Sequence, residues 1–118
     1  MSTPEWIGVD LDGTLAQYHG WREDGGIGEP VPLMLERVKT WIADGKTVQI
    51  VTARVCEERF PLSPEAVAIR SQIEQWCLKH VGRILPITCK TTWGMTELWD
   101  DFAIQVEPNT GRRMDGKP

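Results

Sequence analysis

The sequence predicts an α/β fold, a Rossmann-like three-layer α/β/α sandwich whose sheet is mainly parallel. Three observations carry it. Short apolar runs of strand length alternate with longer stretches of helical periodicity. Glycine and proline punctuate the joints between them. The polar residues Asp10, Thr52, Lys90 and Asp100 stand at or just beyond the ends of the apolar runs, where open α/β sheets hold their ligands.

Taken in order, "WIGVD" from Trp6 to Asp10 is apolar enough for the middle of a parallel sheet. Leu15 to Pro30 follows as a short flap. Its glycines, Gly20, Gly25, Gly26 and Gly28, interleave with Tyr18, His19 and Trp21, the pattern of a loop or small hairpin. Val31, Met34, Leu35, Val38, Trp41 and Ile42 then line one face of a helix, opened by Pro30 and Pro32 and stopped by Gly45. Val48, Ile50 and Val51 build a second strand ending at Thr52. Ser63-Pro64 starts a second helix, with a good N-cap followed by proline in the first turn. Its apolar face is Ala66, Ile69, Ile73, Trp76 and Cys77, and Gly82 ends it. "ILPITC" is a third strand in spite of Pro86, which removes a ladder donor. "ELWDDFAIQVE" supplies one or two further short strands around Asp100-Asp101. Trp6, Trp41, Trp76, Trp93 and Trp99 are packing residues on this reading. Residues 1–107 form one domain with the flap at about 15–30, and 108–118 lack apolar periodicity, as a loose tail does.

At 118 residues, with 41% hydrophobic and 25% charged side chains, the chain has the composition of an ordinary globular domain. A net charge of −4 argues against broad electrostatic binding to nucleic acid or an anionic membrane. No apolar run approaches the ~20 residues of a bilayer span, and the N-terminus lacks the basic start and apolar stretch of a secretion signal. Three cysteines, Cys56, Cys77 and Cys89, are odd in number and form no CxxC pair, which suits a reducing cytoplasm better than a disulfide framework. Cys77 and His80 have a metal-ligand spacing. Without a second closely spaced pair, they read as a core cysteine and a histidine at a helix end.

The chemistry gathers in "WIGVDLDGTLAQ", where a strand ends in two carboxylates one residue apart. Like charges that close are costly to desolvate and call for a cation or a chemical role. A calcium loop counted from Asp10 would need glycine and glutamate where Leu15 and Trp21 stand. A phosphate-binding P-loop would need lysine at Thr14. Asp-Gly turn capping alone is the plain alternative. The chemical alternative gives each acid a task, one carboxylate attacking phosphorus and a second moving protons for the leaving group and for water. Mg²⁺ would lie between nucleophile and phosphate, and a hydroxyl (Thr52) and an ammonium (Lys90) would hold the phosphoryl oxygens.

"DLDGTL", Thr52 at the end of "VQIVT", Lys90 and Asp100-Asp101 together resemble the four ordered motifs of the haloacid dehalogenase superfamily, over nearly the whole chain up to Glu107. The resemblance implies Asp10 as nucleophile, Asp12 as general acid/base, and Thr52 and Lys90 as phosphoryl-binding groups. Mg²⁺ would be held by Asp10, the backbone carbonyl of Asp12, and Asp100 or Asp101, with Asp100 favoured as the direct ligand. Leu11 and Ala53 would contribute beside Arg54 to substrate binding. Arg54 grips an anion on this view; its plain alternative is an ion pair with Glu57 or Glu58. Dehalogenating members lack an acid at the Asp12 position, so phosphoryl transfer is implied here.

Neither insertion point for a cap is long, so the chain resembles the capless members. These often act on bulky or macromolecular phosphates, or use an oligomeric or protein partner to close the site. The phosphatases of nucleic-acid 3′ ends and those of small nucleotides or sugars are similar groups, which implies a nucleotide, nucleic-acid end or sugar phosphate as substrate. The expectation is a cytoplasmic Mg²⁺-dependent phosphomonoester hydrolase working through an aspartyl-phosphate. The alternatives are a catalytically silent phosphate- or protein-binding module on the same fold, and a phosphotransferase. Tyr18, His19 and Trp21 either stack on a substrate or fold the flap down.

Overall fold

A computed structural model describes residues 5–56 and 63–118. In chain order the elements are β1 (Trp6–Asp10), α1 (Pro32–Ala43), β2 (Val48–Val51), α2 (Pro64–His80), β3 (Ile87–Thr88) and β4 (Met95–Trp99), with one 3-10 turn, Ala53–Val55, after β2. The strands form one sheet in the order β3-β2-β1-β4, and every pairing is parallel. This is a small Rossmann-like α/β domain, the class that the alternation of apolar runs predicts.

The helices begin and end where their caps dictate. Ser63 accepts a hydrogen bond from the Ala66 amide at 3.1 Å and opens α2 ahead of Pro64. Gly45 and Gly82, with φ of +80° and +96°, terminate the two helices in the left-handed conformation that glycine tolerates best. Along β1 and β2, Ile7, Val9, Val48 and Ile50 alternate onto one face. They share a core there with Met34 and Val38 of α1 and Ile73, Trp76 and Cys77 of α2. Both crossovers run in the same direction along the sheet, so right-handed connections put both helices on that side. The β3–β4 connection, residues 89–94, is too short for a helix. Among the described residues nothing helical covers the other face, and the second helical layer of the expected sandwich is not built by them.

The flap is a small hairpin at its base. Gln17 donates to the Glu29 carbonyl and Val31 to the Leu15 carbonyl, both at 2.8 Å. Gly28 is required there, because a Cβ at that position would collide with the Gln17 carbonyl. The Gly28 carbonyl in turn accepts from the Trp76 indole at 2.9 Å, tying the flap base to α2.

Three expectations are corrected. Cys56 and Cys89 form a disulfide, with their Cα atoms 5.4 Å apart, while Cys77 is free and buried. A count of cysteines could not show this, because the pairing depends on β2 and β3 being neighbours. Trp93 is 87% exposed rather than packed. The tail is not structureless, since Glu107 donates to the Arg112 carbonyl at 2.6 Å and Met114 to the Gln105 carbonyl at 3.0 Å across a turn. The plain reading of Cys77 and His80 fits, with the histidine ring resting 4.8 Å from that of Trp76. No described helix is long and apolar enough to cross a membrane.

Candidate functional site

The sheet order places the site. From β1 the chain moves outward through β2 to β3, then returns to the other side of β1 as β4. The carboxyl ends of β1 and β4 therefore flank the point where the strand order reverses, the usual crevice of open α/β sheets. In the parallel register Val9 faces Trp99, so Asp10 ends its strand beside Asp100.

The turn after β1 separates its two carboxylates. The carbonyl of fully buried Leu11 accepts from the amides of Thr14, Leu15 and Ala16 at 3.3, 3.1 and 2.8 Å, which folds the chain back at once. Gly13 holds φ +90°, and a Cβ there would run into the Asp101 carboxylate. Asp10 consequently faces β4, whereas Asp12 faces the flap.

On the β4 side, carboxylate oxygens of Asp10, Asp100 and Asp101 lie within 4.8 Å of one another. The Thr14 hydroxyl donates to Asp101 at 3.1 Å, and Asp100 accepts from the Phe102 and Ala103 amides at 2.8 and 2.6 Å. These bonds aim both acids at Asp10. Burial pushes the Asp10 carboxyl from its ordinary 3.8 up to about 8, reinforced by the hydrogen bonds and like charges of Asp101 and Asp100. Three converging hard-oxygen donors, with no cationic side chain paired to them among the described residues, fit a small divalent ion such as Mg²⁺.

On the flap side, Arg54 meets Asp12 with both arms of its fork, Nε to Oδ2 at 2.7 Å and Nη2 to Oδ1 at 2.9 Å. Asp12 holds the guanidinium charged, above the usual arginine value. The sequence-based partners for Arg54, Glu57 and Glu58, lie outside the described residues. Thr52 is 3% exposed and caps the 3-10 turn, accepting from the Arg54 amide at 3.2 Å. Among the described residues its hydroxyl proton has no acceptor.

Asp10, Asp12, Thr52, Ala53 and Arg54 open onto a cleft of about 1200 Å³. The flap, including Tyr18, His19 and Trp21, forms one wall, and Glu65, Ala68, Ile69 and Gln72 of α2 form another. Two expected residues stand apart. The Leu11 side chain belongs to the core, and Lys90 is exposed at the end of β3, outside the cleft lining. Sequence reasoning missed the Thr14 support of Asp101 and the α2 wall, whose i, i+3, i+4, i+7 spacing was the available signal. Set against family models, curated proteins and solved structures, the chain matches none of them.

Proposed function

We propose that this chain is a Mg²⁺-dependent phosphomonoester hydrolase of the haloacid dehalogenase type. The observation that carries the proposal is the division of one turn between two environments: Asp10 in an acidic, cation-seeking trio, and Asp12 two residues on, beside a substrate-sized cleft. An Asp10 carboxylate oxygen attacks phosphorus, and the bond from phosphorus to the leaving oxygen breaks as Asp12, which enters the step in its protonated form, gives that oxygen its proton. Asp12 then takes a proton from water. The hydroxyl attacks phosphorus, the bond to Asp10 breaks, and inorganic phosphate and the free carboxylate result.

Asp10, Asp100, Asp101 and the Asp12 backbone carbonyl would hold the ion. When bound, it supplies the positive charge that lets an anionic nucleophile meet an anionic phosphate. Thr52 and the backbone amides of Leu11 and Ala53 would take phosphoryl oxygens. Lys90 would join them by turning its long side chain inward from the end of β3. The acidic cleft lining, with Glu23, Asp24, Glu29 and Glu65, favours a body without further negative charge over a nucleic-acid strand. A partner that closes the open side belongs to the same proposal.

The test is phosphate release from aryl, sugar and nucleotide monophosphates and a 3′-phosphorylated oligonucleotide, with Mg²⁺ or EDTA and with Asp10→Asn as control. Metal-dependent release lost in the variant supports the proposal. Binding of phosphomonoesters without release would favour the silent module, and faster turnover with an added alcohol would favour a phosphotransferase.

A further inference from the structure

Arg54 was a candidate reader of the substrate anion, yet its donors are already engaged. Besides the two bonds to Asp12, Nη1 donates to the Gly25 carbonyl at 2.7 Å and Nη2 to the Gly26 carbonyl at 3.2 Å. The guanidinium also lies over the Trp21 ring, 5.4 Å from its centroid. Its side chain is 12% exposed. Four of its five N–H groups are thus spent on two different parts of the fold.

Those two parts differ in how firmly they are held. Arg54 rides on the 3-10 turn that follows β2, capped by Thr52 and bounded by the Cys56–Cys89 disulfide. Gly25 and Gly26 sit in the flap loop, whose own bonds among the described residues are local: Gly25 amide to Arg22 carbonyl, Gly26 amide to Asp24, and Arg22 to Asp24. None of these fixes the loop to the sheet. The carbonyls held by Arg54 do.

We infer that Arg54 is a positioning residue that latches the flap to Asp12, so that one guanidinium sets both the closure of the cleft and the aim of that carboxylate. The fork is what makes this work. Lysine is a compact charge with three donors on a flexible stem and cannot span a carboxylate and two carbonyls in one plane. An arginine used in this way is not free to read substrate while the flap is down. The latch rests on contacts outside the acidic trio, and only the aim of Asp12 rests on the proposed reaction.

The experiment measures trypsin cleavage after Arg22, in the flap, under native conditions. Wild type is compared with Arg54→Lys, Arg54→Ala and Asp12→Asn, and far-UV circular dichroism and melting confirm the fold of each. Loss of the latch should raise the cleavage rate roughly tenfold or more in both Arg54 variants, because the open form of the loop gains population. Asp12→Asn should raise it less, and the Asp12→Asn/Arg54→Ala double variant should cleave no faster than Arg54→Ala alone. Trp21 emission, taken as the difference from a Trp21→Phe background, should shift in the Arg54 variants. With an aryl phosphate, Arg54→Lys should lower kcat while KM stays within about twofold, since uniform substrate binding is not what is lost. Unchanged cleavage and emission in both Arg54 variants would overturn the latch, as would a rise in KM alone, the mark of a substrate reader. A wild-type protein without phosphatase activity would count against the proposed reaction and leave cleavage and emission to decide the latch.

Discussion

Replacing Asp10 by asparagine is expected to stabilise the metal-free protein at pH 8 while ending its turnover. Asp10 ionises near 8 in the fold against an ordinary 3.8, so folding takes up a proton across that interval. A raised carboxyl leaves stability intact below the unfolded value and removes it as pH climbs through the folded one. The full shift corresponds to about 5–6 kcal/mol at 1.4 kcal/mol per pH unit. Asp10 also borders the open cleft, where solvent screens it, which leaves roughly half, about 2–3 kcal/mol. For a domain of this size that is about 6–15 °C in Tm. The assay is thermal unfolding in EDTA from pH 4 to pH 8, read as the difference between Asp10→Asn and wild type so that other titrating groups cancel. The variant should gain on wild type steadily with rising pH. Saturating Mg²⁺ at pH 8 should then raise the wild-type Tm and leave the variant's nearly unmoved, since an ion held by the native state stabilises it by mass action. A flat difference across the pH range would refute the claim that Asp10 is the uncompensated charge of the trio.

Gly13→Ala should cost several kcal/mol, because the new Cβ meets the Asp101 carboxylate at a backbone φ of +90°. Phosphate release and Mg²⁺-induced stabilisation should fall together in that variant, and wild-type values for both would argue that Asp101 is dispensable. Lys90→Ala should lower kcat/KM by roughly 10²–10³ if the ammonium holds a phosphoryl oxygen, and an unchanged value would leave Lys90 the exposed residue seen here. Reducing the Cys56–Cys89 bond, which closes a stretch of 33 residues, should cost about 2–4 kcal/mol. Thiol counting with melting in the presence and absence of reductant checks it, and a Tm insensitive to reductant would refute it.

Much of this architecture was legible because it rests on local rules. β1 begins and ends where the apolar run does, and α2 starts at the Ser63-Pro64 cap and stops at Gly82. The acidic trio was legible at one remove: Asp10 and Asp100 each end an apolar run, and the sheet brings such ends together. What escaped depends on contacts that no periodicity encodes. Arg54 reaches a flap carbonyl 29 residues away, and the cysteine pairing spans 33. Among the described residues no helix covers the other face of the sheet, because only six residues join β3 to β4. Trp93, in that same connection, stays exposed because no helix follows it to pack against.

The pairing of two carboxylates at the end of β1 now has a physical account. A strand that simply continued would have pointed Asp10 and Asp12 to the same side, two like charges in one environment. The Leu11 carbonyl, with three amides bonded to it, breaks that alternation within a single residue. Among the described residues Asp10 is left with two more acids and no cation, whereas Asp12 receives the fork of Arg54. Such separation of neighbouring acids is how one site comes to hold two roles. It also predicts an asymmetry in loss. Asparagine at position 10 relieves like-charge repulsion and stabilises the fold. At position 12 it strands Arg54, 12% exposed with its carboxylate partner gone, and should destabilise the fold by about 1–3 kcal/mol. Melting both variants side by side in EDTA reads this directly. Shifts of the same sign would mean that the turn does not separate the two charges.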